Sequence, residues 1–342
     1  MSYREEQVSY ENKAAGVTLA GTLTFPSGKG KAPVVLLIAG MGPNDRDYTM
    51  LGHKLFLDLA RHLAQQGIAS MRYDKRGVGG SSGTFDTTLT SKDFASDALA
   101  GVQYLTTRDD VSTARIGLLG HSEGGMIAPM VALKSSDVSF LVLMAGVVAT
   151  GIDENVEQAA MQLCADGATK QMLLFDGAMR KKVLTIIKQE ENYDVAHSQV
   201  RKIIDQYLKE LPEDQKKELG QLHFAISETN ADDVIKMLNS PWYRYFLSYD
   251  PVETLGQIRI PVLAINGELD FVTSFRIAFP LIEQALKNSK NDDYTTIELP
   301  KHNHWLQACQ SGALAEYGTI KETMSPVALE KISSWILEQV NS

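Results

Sequence analysis

Apolar residues along this chain follow two patterns that alternate with each other. Short apolar runs at 33–39 and 68–73 are typical of strands buried on both faces. Between them, leucines repeat every four residues and predict a helix over 51–66 that ends at Gly67. Further strands are predicted at 17–25, 116–119, 140–145, 261–266 and 294–299. Further helices are predicted after Thr90, at 126–133, at 274–286 and from Ser325-Pro326. These repeated units predict an α/β class fold with a doubly wound, mostly parallel sheet.

The N-terminal region has a different pattern from the apolar runs that follow it. Residues 17–25 alternate, with apolar side chains on one face and threonines on the other. That alternation predicts a half-buried strand. Residues 7–11 are predicted to pair with this strand in antiparallel fashion at the edge of the sheet.

The alternation of strands and helices stops near residue 150, and only helical periodicity follows until about 247. One clean amphipathic stripe there consists of Val200, Ile203, Ile204, Tyr207, Leu208 and Leu211. We therefore predict that 150–247 is an inserted all-helical cap, or lid, and that 1–149 and 248–342 together form the core domain. An exposed stripe on a cap helix would serve either a homodimer or inward packing, and the sequence leaves this open.

Composition and charge narrow the classes of partner. The chain has 342 residues and a formal charge of -9, without a basic cluster, which argues against nucleic acid and anionic membranes as main partners. Two cysteines do not make a disulfide framework, and no metal-ligand spacing is present. No apolar run has transmembrane length and the start is polar. As written, the chain is predicted to be cytoplasmic, or exported if an upstream signal peptide has been removed.

The most informative stretch is 115–125, Arg-Ile-Gly-Leu-Leu-Gly-His-Ser-Glu-Gly-Gly. A buried strand there meets a helix through a tight turn with Ser122 at its apex. Gly120 and Gly124 are expected to be required, because side chains at these positions would collide with the neighbouring strand and helix. This pattern predicts a nucleophilic serine at the start of a helix rather than a glycine-rich turn without chemistry.

A nucleophilic serine needs a base, and the base needs an orienting acid. His304 follows the last predicted strand and is the expected base, with His302 as its rival. Asp270 follows the strand at 261–266 and is the expected acid, with Glu268 as runner-up. The order serine, acid, histidine is the one expected on this kind of sheet. His121 is adjacent to the nucleophile and is expected to point away from it. The remaining histidines are predicted to be solvated surface residues, namely His53, His62, His197 and His223.

The negatively charged oxygen that forms during acyl transfer needs two N–H donors. The backbone N–H of Glu123, next after the nucleophile, is one predicted donor. The backbone N–H of Met41, in the turn after the strand at 33–39, is the other, because Gly40 and Gly42 let that backbone come close. The side chain of Met41 is then available to line an acyl pocket.

Two other groups of residues have both a structural and a functional interpretation. Charged residues near the two turns, Asp45, Arg46, Asp47, Asp74 and Arg76, are expected to brace their loops by ion pairs rather than to bind substrate. Aromatic residues near the end of the helical region, Trp242, Tyr243, Tyr245, Phe246 and Tyr249, are expected to pack rather than to wall an acyl pocket.

These motifs resemble the α/β-hydrolase superfamily, in its serine aminopeptidase-like branch, and bacterial carboxylesterases with a helical cap. The matching stretches are 40–47 (Gly-Met-Gly-Pro-Asn-Asp-Arg-Asp), 52–54, 72–79 (Arg-Tyr-Asp-Lys-Arg-Gly-Val-Gly), 120–125, 266–270 and 303–304. The resemblance implies an α/β-hydrolase fold and ester hydrolysis through Ser122, Asp270 and His304. One departure is the Ala39-Gly40 pair. Many of these hydrolases have His-Gly at these two positions, and the histidine side chain often braces the loop.

The expected activity is therefore cleavage of a small-molecule carboxylic ester through an acyl-enzyme, with no cofactor and no metal. A serine aminopeptidase or amidase acting on small peptides is an alternative, and it would need a cap carboxylate to bind the α-ammonium group. An acyltransferase using the same triad is a second alternative, since alcohols and water compete for one acyl-enzyme. A non-catalytic binding module is the alternative outside enzymes, and the three triad residue types argue against it.

Overall fold

The computed structural model describes residues 3–28, 30–219, 225–227 and 229–341. Within these residues the strands are β1 (Tyr3–Asn12), β2 (Val17–Pro26), β3 (Ala32–Ile38), β4 (Thr49–Met50), β5 (His53–Lys54), β6 (Ala69–Tyr73), β7 (Val111–His121), β8 (Val138–Met144), β9 (Val262–Gly267) and β10 (Tyr294–Leu299). Eight of these described strands form one sheet in the order β1-β2-β6-β3-β7-β8-β9-β10. Strands β1 and β2 are antiparallel to their neighbours, and the other pairs are parallel. The predicted edge pair and the mostly parallel sheet are confirmed.

Helices surround the sheet and also fill the region between β8 and β9. They are α1 (Leu55–Gln65), α2 (Ser91–Thr106), α3 (Glu123–Ala132), α4 (Ile152–Ala165), α5 (Lys170–Gln189), α6 (Tyr193–Glu210), α7 (Glu213–Leu219), α8 (Ala231–Leu238), α9 (Pro241–Ser248), α10 (Pro251–Leu255), α11 (Phe275–Asn288), α12 (Leu314–Tyr317) and α13 (Pro326–Asn341). The short elements β4, β5, α10 and α12 were not predicted, because they are too short to show periodicity.

Both faces of the sheet are covered, and alternate residues of one strand show it. Along β3, Val34 and Leu36 belong to an apolar cluster with α2, α3 and α11. Val35 and Leu37 belong to a second cluster, on the opposite face, with α1 and α13. A strand buried on both faces needs apolar residues at every position, which is why β3 reads as a continuous apolar run.

The described residues between β8 and α10 contain helices α4 to α9 and no strand of the sheet. These helices share a third apolar cluster, in which Val183 and Ile187 of α5 meet Val200 and Ile204 of α6. We call 152–248 the helical segment. Its helices agree with the periodicity of the sequence, and the assignment of 150–247 as a separate lid domain stays a prediction.

Two expectations about individual elements were wrong. Strand β2 is not half-buried, because Thr22 and Thr24 on its polar face are covered. The guanidinium of Arg72 lies over that face and donates a hydrogen bond of 2.6 Å to Thr24 Oγ1. Helix α1 begins at Leu55 rather than at residue 51, because 49–54 form a hairpin. Leu51 and Gly52, the two central residues of that hairpin, both have positive φ, as its tight turn requires.

The sheet topology gathers the chemistry at one edge. Strands β3, β7 and β9 run parallel, so their carboxyl ends lie side by side. The predicted oxyanion turn follows β3, Ser122 follows β7, and Asp270 follows β9. Open α/β sheets bind their ligands beyond these ends.

Candidate active site

Ser122 occupies a strained turn between β7 and α3. Its backbone has φ 55° and ψ -120°, outside the regions that side chains with a Cβ normally adopt. A Cβ at Gly120 would overlap the carbonyl of Gly124, and a Cβ at Gly124 would overlap the carbonyl of Ile38. The need for glycine at both positions, predicted from the sequence, is confirmed.

Hydrogen bonds fix the Ser122 backbone on both sides. Its N–H donates to the Met144 carbonyl at 3.1 Å. Its carbonyl accepts from the N–H groups of Gly125, at 2.9 Å, and Val147, at 3.0 Å. Because a peptide unit is planar, these bonds also fix the direction of the next N–H, which belongs to Glu123.

Asp270 and His304 form a buried pair. The distance from His304 Nδ1 to Asp270 Oδ2 is 2.9 Å. The other carboxylate oxygen accepts the N–H groups of Val272 and Thr273, each at 2.9 Å, and the Thr273 hydroxyl lies 2.8 Å from Oδ2. The carboxylate is therefore held in one orientation, with one oxygen aimed at the imidazole. The runner-up, Glu268, instead accepts the Lys301 N–H.

Both ring nitrogens of His121 are engaged in structural hydrogen bonds, and one of these bonds anchors His304. Its Nε2 lies 3.0 Å from the His304 carbonyl, and its Nδ1 lies 3.1 Å from the Tyr48 hydroxyl. A carbonyl only accepts, so Nε2 carries the proton and Nδ1 accepts from Tyr48. Burial, with a smaller contribution from the nearby His304, lowers the pKa of His121 to about 3. The neutral side chain of His121 thus ties the turn that carries Ser122 to the loop that carries His304, a role that sequence reasoning missed.

The other histidines make structural contacts. His302, the rival base, holds the Pro300 carbonyl and the Ser325 hydroxyl, each at 2.7 Å. The prediction of a solvated surface position was wrong for His53, which is buried with its Nε2 3.1 Å from the Tyr317 carbonyl. It was also wrong for two half-buried residues, since His62 bonds the Ser333 hydroxyl of α13 and His197 stacks on Tyr193. His223 lies outside the described residues.

The turn after β3 approaches Ser122 closely. A Cβ at Gly40 would lie 2.9 Å from the Ser122 Cβ and 2.6 Å from the Tyr48 hydroxyl. The side-chain amide of Asn44 donates to the carbonyls of Gly40 and Met41, each at 2.9 Å. Asn44 therefore braces this loop, which lacks the histidine found in many related hydrolases.

Lys75 is a second brace, and sequence reasoning missed it. This buried ammonium contacts the Gly40 carbonyl, at 2.5 Å, and Glu123 Oε2, at 3.5 Å. It also lies 4.4 Å from the centre of the Phe94 ring. Burial lowers the pKa of Lys75, and the Glu123 carboxylate opposes that shift. Its position directly after strand β6, at the carboxyl edge, was the available signal.

The Glu123 carboxylate joins three parts of the molecule. Its Oε2 faces Lys75, and its Oε1 accepts from the Ser91 hydroxyl at 2.6 Å and from Trp242 Nε1 at 2.8 Å. Ser91 begins α2, whereas Trp242 belongs to α9 of the helical segment. The indole of Trp242 packs against the core, as expected for the aromatic residues, but it also lines a cavity and binds the residue that follows Ser122.

The expectation that charged loop residues brace the structure by ion pairs is confirmed for Arg46, Asp74, Asp47 and Arg76. These pairs join different elements rather than residues of one loop. Arg46 contacts both carboxylate oxygens of Asp74, at 3.1 and 2.7 Å. Burial raises the pKa of Asp74, but the hydrogen bonds from Arg46 and from backbone N–H groups outweigh burial and lower it. Further ion pairs join Asp47 to Arg72, at 3.0 Å, and Arg76 to Asp97, at 2.7 Å.

A small, mostly apolar cavity of about 140 Å³ lies between the oxyanion turn and the helical segment. Its lining includes Met41, Phe85, Leu89, Phe94, Met237 and Trp242. Met41 is 56% exposed and forms part of this wall. Within the described residues, no three or more His, Cys, Asp or Glu side chains are arranged to hold a metal ion. None of the described helices combines the length and apolar character that crossing a membrane requires.

Comparison with solved structures identifies the architecture. An esterase from Pyrococcus furiosus, Pf2001, superposes with a TM-score of 0.58 at 14% identity, over 99% of this chain and 91% of that one. Est1E from Butyrivibrio proteoclasticus, with ferulic acid bound, gives 0.57 at 17% identity, over 98% and 100%. The fold is that of the α/β-hydrolases. The fold that the sequence motifs imply is confirmed.

Sequence comparison agrees with the fold. Residues 52–199 match the family described as serine aminopeptidase, S33. Esterase EstD of Thermotoga maritima is 42% identical over 134 residues, which are 37% of this chain. The match spans 30% of the length of EstD. The part of the chain around Ser122 is thus similar to S33 proteins, and part of the chain is similar to an esterase.

Proposed function

We propose that this α/β-hydrolase is a serine hydrolase that cleaves carboxylic esters, with Ser122 as nucleophile, His304 as base and Asp270 as orienting acid. The observation that carries the proposal is the Asp270–His304 contact of 2.9 Å, in a loop that His121 ties to the nucleophile turn. The Asp270–His304 pair and the turn that carries Ser122 are thereby joined at one edge of the sheet, through the hydrogen bond of His121 to the His304 carbonyl.

The reaction proceeds in two halves. Ser122 Oγ attacks the ester carbonyl carbon while His304 Nε2 takes the hydroxyl proton, and Asp270 stabilises the imidazolium. The backbone N–H groups of Met41 and Glu123 bind the oxyanion of the tetrahedral intermediate. His304 then protonates the leaving alcohol, and the C–O bond to it breaks. Water attacks the acyl-enzyme by the same route, releasing the carboxylic acid and restoring the serine.

We assign the apolar cavity beside Met41 to the acyl group. An engineered protein cavity of about 150 Å³ holds benzene, so a cavity of this size suits a phenyl ring or a short alkyl chain. Its walls are mainly hydrocarbon and aromatic, which favours apolar over charged acyl groups. Est1E, a structural neighbour, carries ferulic acid, an aromatic acid, which fits this assignment.

A serine aminopeptidase is the second candidate, because the matching family carries that description. Such an enzyme would need a free carboxylate to bind the substrate's α-ammonium group. The carboxylate beside the nucleophile, Glu123, is already bound by Lys75, Ser91 and Trp242. An aminopeptidase would therefore have to use another carboxylate, and Asp86, which lines the cavity, is the candidate for it.

The test compares nitrophenyl acetate and benzoate with aminoacyl nitroanilides, and it follows labelling by a fluorophosphonate. We expect ester turnover and labelling in the wild type, and neither in Ser122→Ala. Ser136→Ala, in an exposed loop, is the matched control and should behave as wild type. Labelling of Ser122→Ala would place the nucleophile elsewhere, and faster anilide than ester turnover would favour the peptidase. Products formed with added alcohols would reveal acyl transfer.

A further inference from the structure

We propose that Lys75 is a positioning residue for the reaction, which orients and polarises the Met41 N–H that binds the oxyanion. This inference rests on the proposed function, because it assigns a role toward the oxyanion of ester cleavage. Lys75 itself touches neither substrate nor nucleophile in this proposal. It acts through the peptide unit between Gly40 and Met41.

The argument begins with peptide planarity. The carbonyl of Gly40 and the N–H of Met41 belong to one rigid, trans peptide unit, so they point in opposite directions. Lys75 Nζ and Asn44 Nδ2 both donate to that carbonyl, at 2.5 and 2.9 Å. Two donors from different elements leave the peptide plane little freedom, and the direction of the Met41 N–H is fixed with it.

The charge of Lys75 adds a second effect. A cation bonded to an amide oxygen draws electron density from the nitrogen, and hydrogen bonds in such chains strengthen one another at low dielectric. The ammonium is buried, so water screens this effect only weakly. The Met41 N–H becomes a stronger donor toward an oxygen that gains negative charge during the reaction.

The two predicted oxyanion donors are built alike. The N–H of Glu123 shares its peptide unit with the Ser122 carbonyl, which also accepts two hydrogen bonds, from Gly125 and Val147. The Lys75–Glu123 ion pair then connects the residue that supports one donor to the residue that carries the other. Both N–H groups are thus set before substrate arrives, which is the condition for electrostatic stabilisation of a transition state.

A purely structural role for Lys75 is the competing explanation, and its neighbours provide a reference. Arg76, the next residue, is also buried and ion-paired, with Asp97 at 2.7 Å. Its hydrogen bonds go to Asp97 and to the Asp93 carbonyl in α2, and not to the oxyanion turn. Arg76 is therefore a matched buried cation that braces the fold without touching Gly40.

The experiment measures kcat and KM per folded molecule, together with thermal midpoints, for four proteins. They are the wild type, Lys75→Met, the double variant Lys75→Met/Glu123→Gln, and Arg76→Met as the control. The double variant carries no unpaired buried charge, so it should fold better than Lys75→Met. Binding of a trifluoromethyl ketone, which mimics the tetrahedral intermediate, is measured for the same proteins.

Loss of one whole oxyanion donor costs about 10²- to 10³-fold in kcat, so loss of its orientation should cost about 10- to 100-fold. We expect that loss in Lys75→Met with KM within about twofold of wild type. The affinity for the trifluoromethyl ketone should fall by the same factor as kcat/KM. The double variant should regain thermal stability but not kcat, and Arg76→Met should lose stability while keeping kcat.

Recovery of kcat in the double variant would overturn the proposal, because the role of Lys75 would then be to neutralise Glu123. A kcat for Lys75→Met as high as that of Arg76→Met would overturn it as well. Absence of ester turnover in the wild type is a different result, since it removes the proposed function and with it the basis for this inference. The wild-type assay therefore separates the two failures.

Discussion

The carboxyl edge of the sheet and the helical segment hold their charges in different ways. At the edge, buried ion pairs join residues far apart in sequence, such as Arg46 with Asp74 and Lys75 with Glu123. In the helical segment, most pairs are solvent-exposed, such as Arg201 with Asp205. The pair of Asp176 with Arg180 is largely buried, but like the Arg201 pair it joins neighbouring turns of one helix. Exposed pairs of that kind contribute at most about 1 kcal/mol, whereas losing one partner of a buried pair costs about 3–5 kcal/mol.

This difference separates two tasks. Chemistry requires groups fixed to within about half an ångström, and the edge supplies this by giving each polar group several partners. The helical segment is held mainly by its own apolar cluster, so its side chains can vary without moving the nucleophile. We therefore expect the edge to set the rate of the chemical step and the helical segment to set the choice of substrate. The following predictions test that division.

The largest effect is expected for Asp270→Asn. An amide at this position can donate a hydrogen bond to His304 Nδ1 and so favour the wrong tautomer, which lowers kcat by about 10⁴-fold in enzymes with such a triad. Steady-state kinetics on nitrophenyl acetate measures it. Glu268→Gln, which alters the runner-up carboxylate, should remain within about twofold of wild type. A larger loss in Glu268→Gln than in Asp270→Asn would exchange their roles.

A pair of glycine substitutions compares the packing of the two regions. Gly124→Ala puts a methyl group into the carbonyl of Ile38 and should lower the free energy of unfolding by at least about 3 kcal/mol. Gly177→Ala, in α5 of the helical segment, finds its nearest atom outside its own helix at 3.4 Å. It should raise that free energy by about 0.5–1 kcal/mol through helix propensity. Urea denaturation decides, and equal effects would contradict the comparison.

Met237→Ala, on α8, should change selectivity rather than rate. Removing this side chain from the cavity wall lengthens the cavity, so kcat/KM for hexanoate relative to acetate esters should rise about tenfold. The nitrophenyl ester series from acetate to octanoate provides the measurement. Leu174→Ala, at an exposed position of α5, is the control and should leave the ratio unchanged. An unchanged ratio in Met237→Ala would show that the acyl group binds elsewhere.

The smallest effect is expected where the two regions meet. Trp242→Phe keeps an aromatic side chain but removes the hydrogen bond from the indole N–H to Glu123. The Oε1 atom of Glu123 retains its hydrogen bond from the Ser91 hydroxyl. We expect a loss of about threefold in kcat, in keeping with one neutral-donor hydrogen bond among several. Tyr243→Phe removes a hydroxyl bonded to Asn155 inside the helical segment and should not change kcat. Equal losses in both variants would mean that the segment acts on the nucleophile through packing alone.

Local patterns in the sequence were enough to predict most of the sheet and the turn that carries Ser122. Each of these features depends on residues close together in the chain, as in the glycines at 120 and 124. Predictions that needed a distant partner were less successful. Thr22 and Thr24 read as an exposed face, since the residue that covers them, Arg72, lies in another strand. His53 read as a surface residue, since the Tyr317 carbonyl that binds it lies 264 positions further along the chain.

The sequence alone determined the order of strands and helices, the strained apex at Ser122 and the residue types available for its chemistry. The tertiary structure decided which of these residues meet. It placed Asp270 rather than Glu268 on His304, gave His121 the task of anchoring the histidine loop, and brought Lys75 under the oxyanion turn. The reason is physical, because backbone conformation responds to near neighbours, whereas the environment of a buried charge is set by strands that only folding brings together.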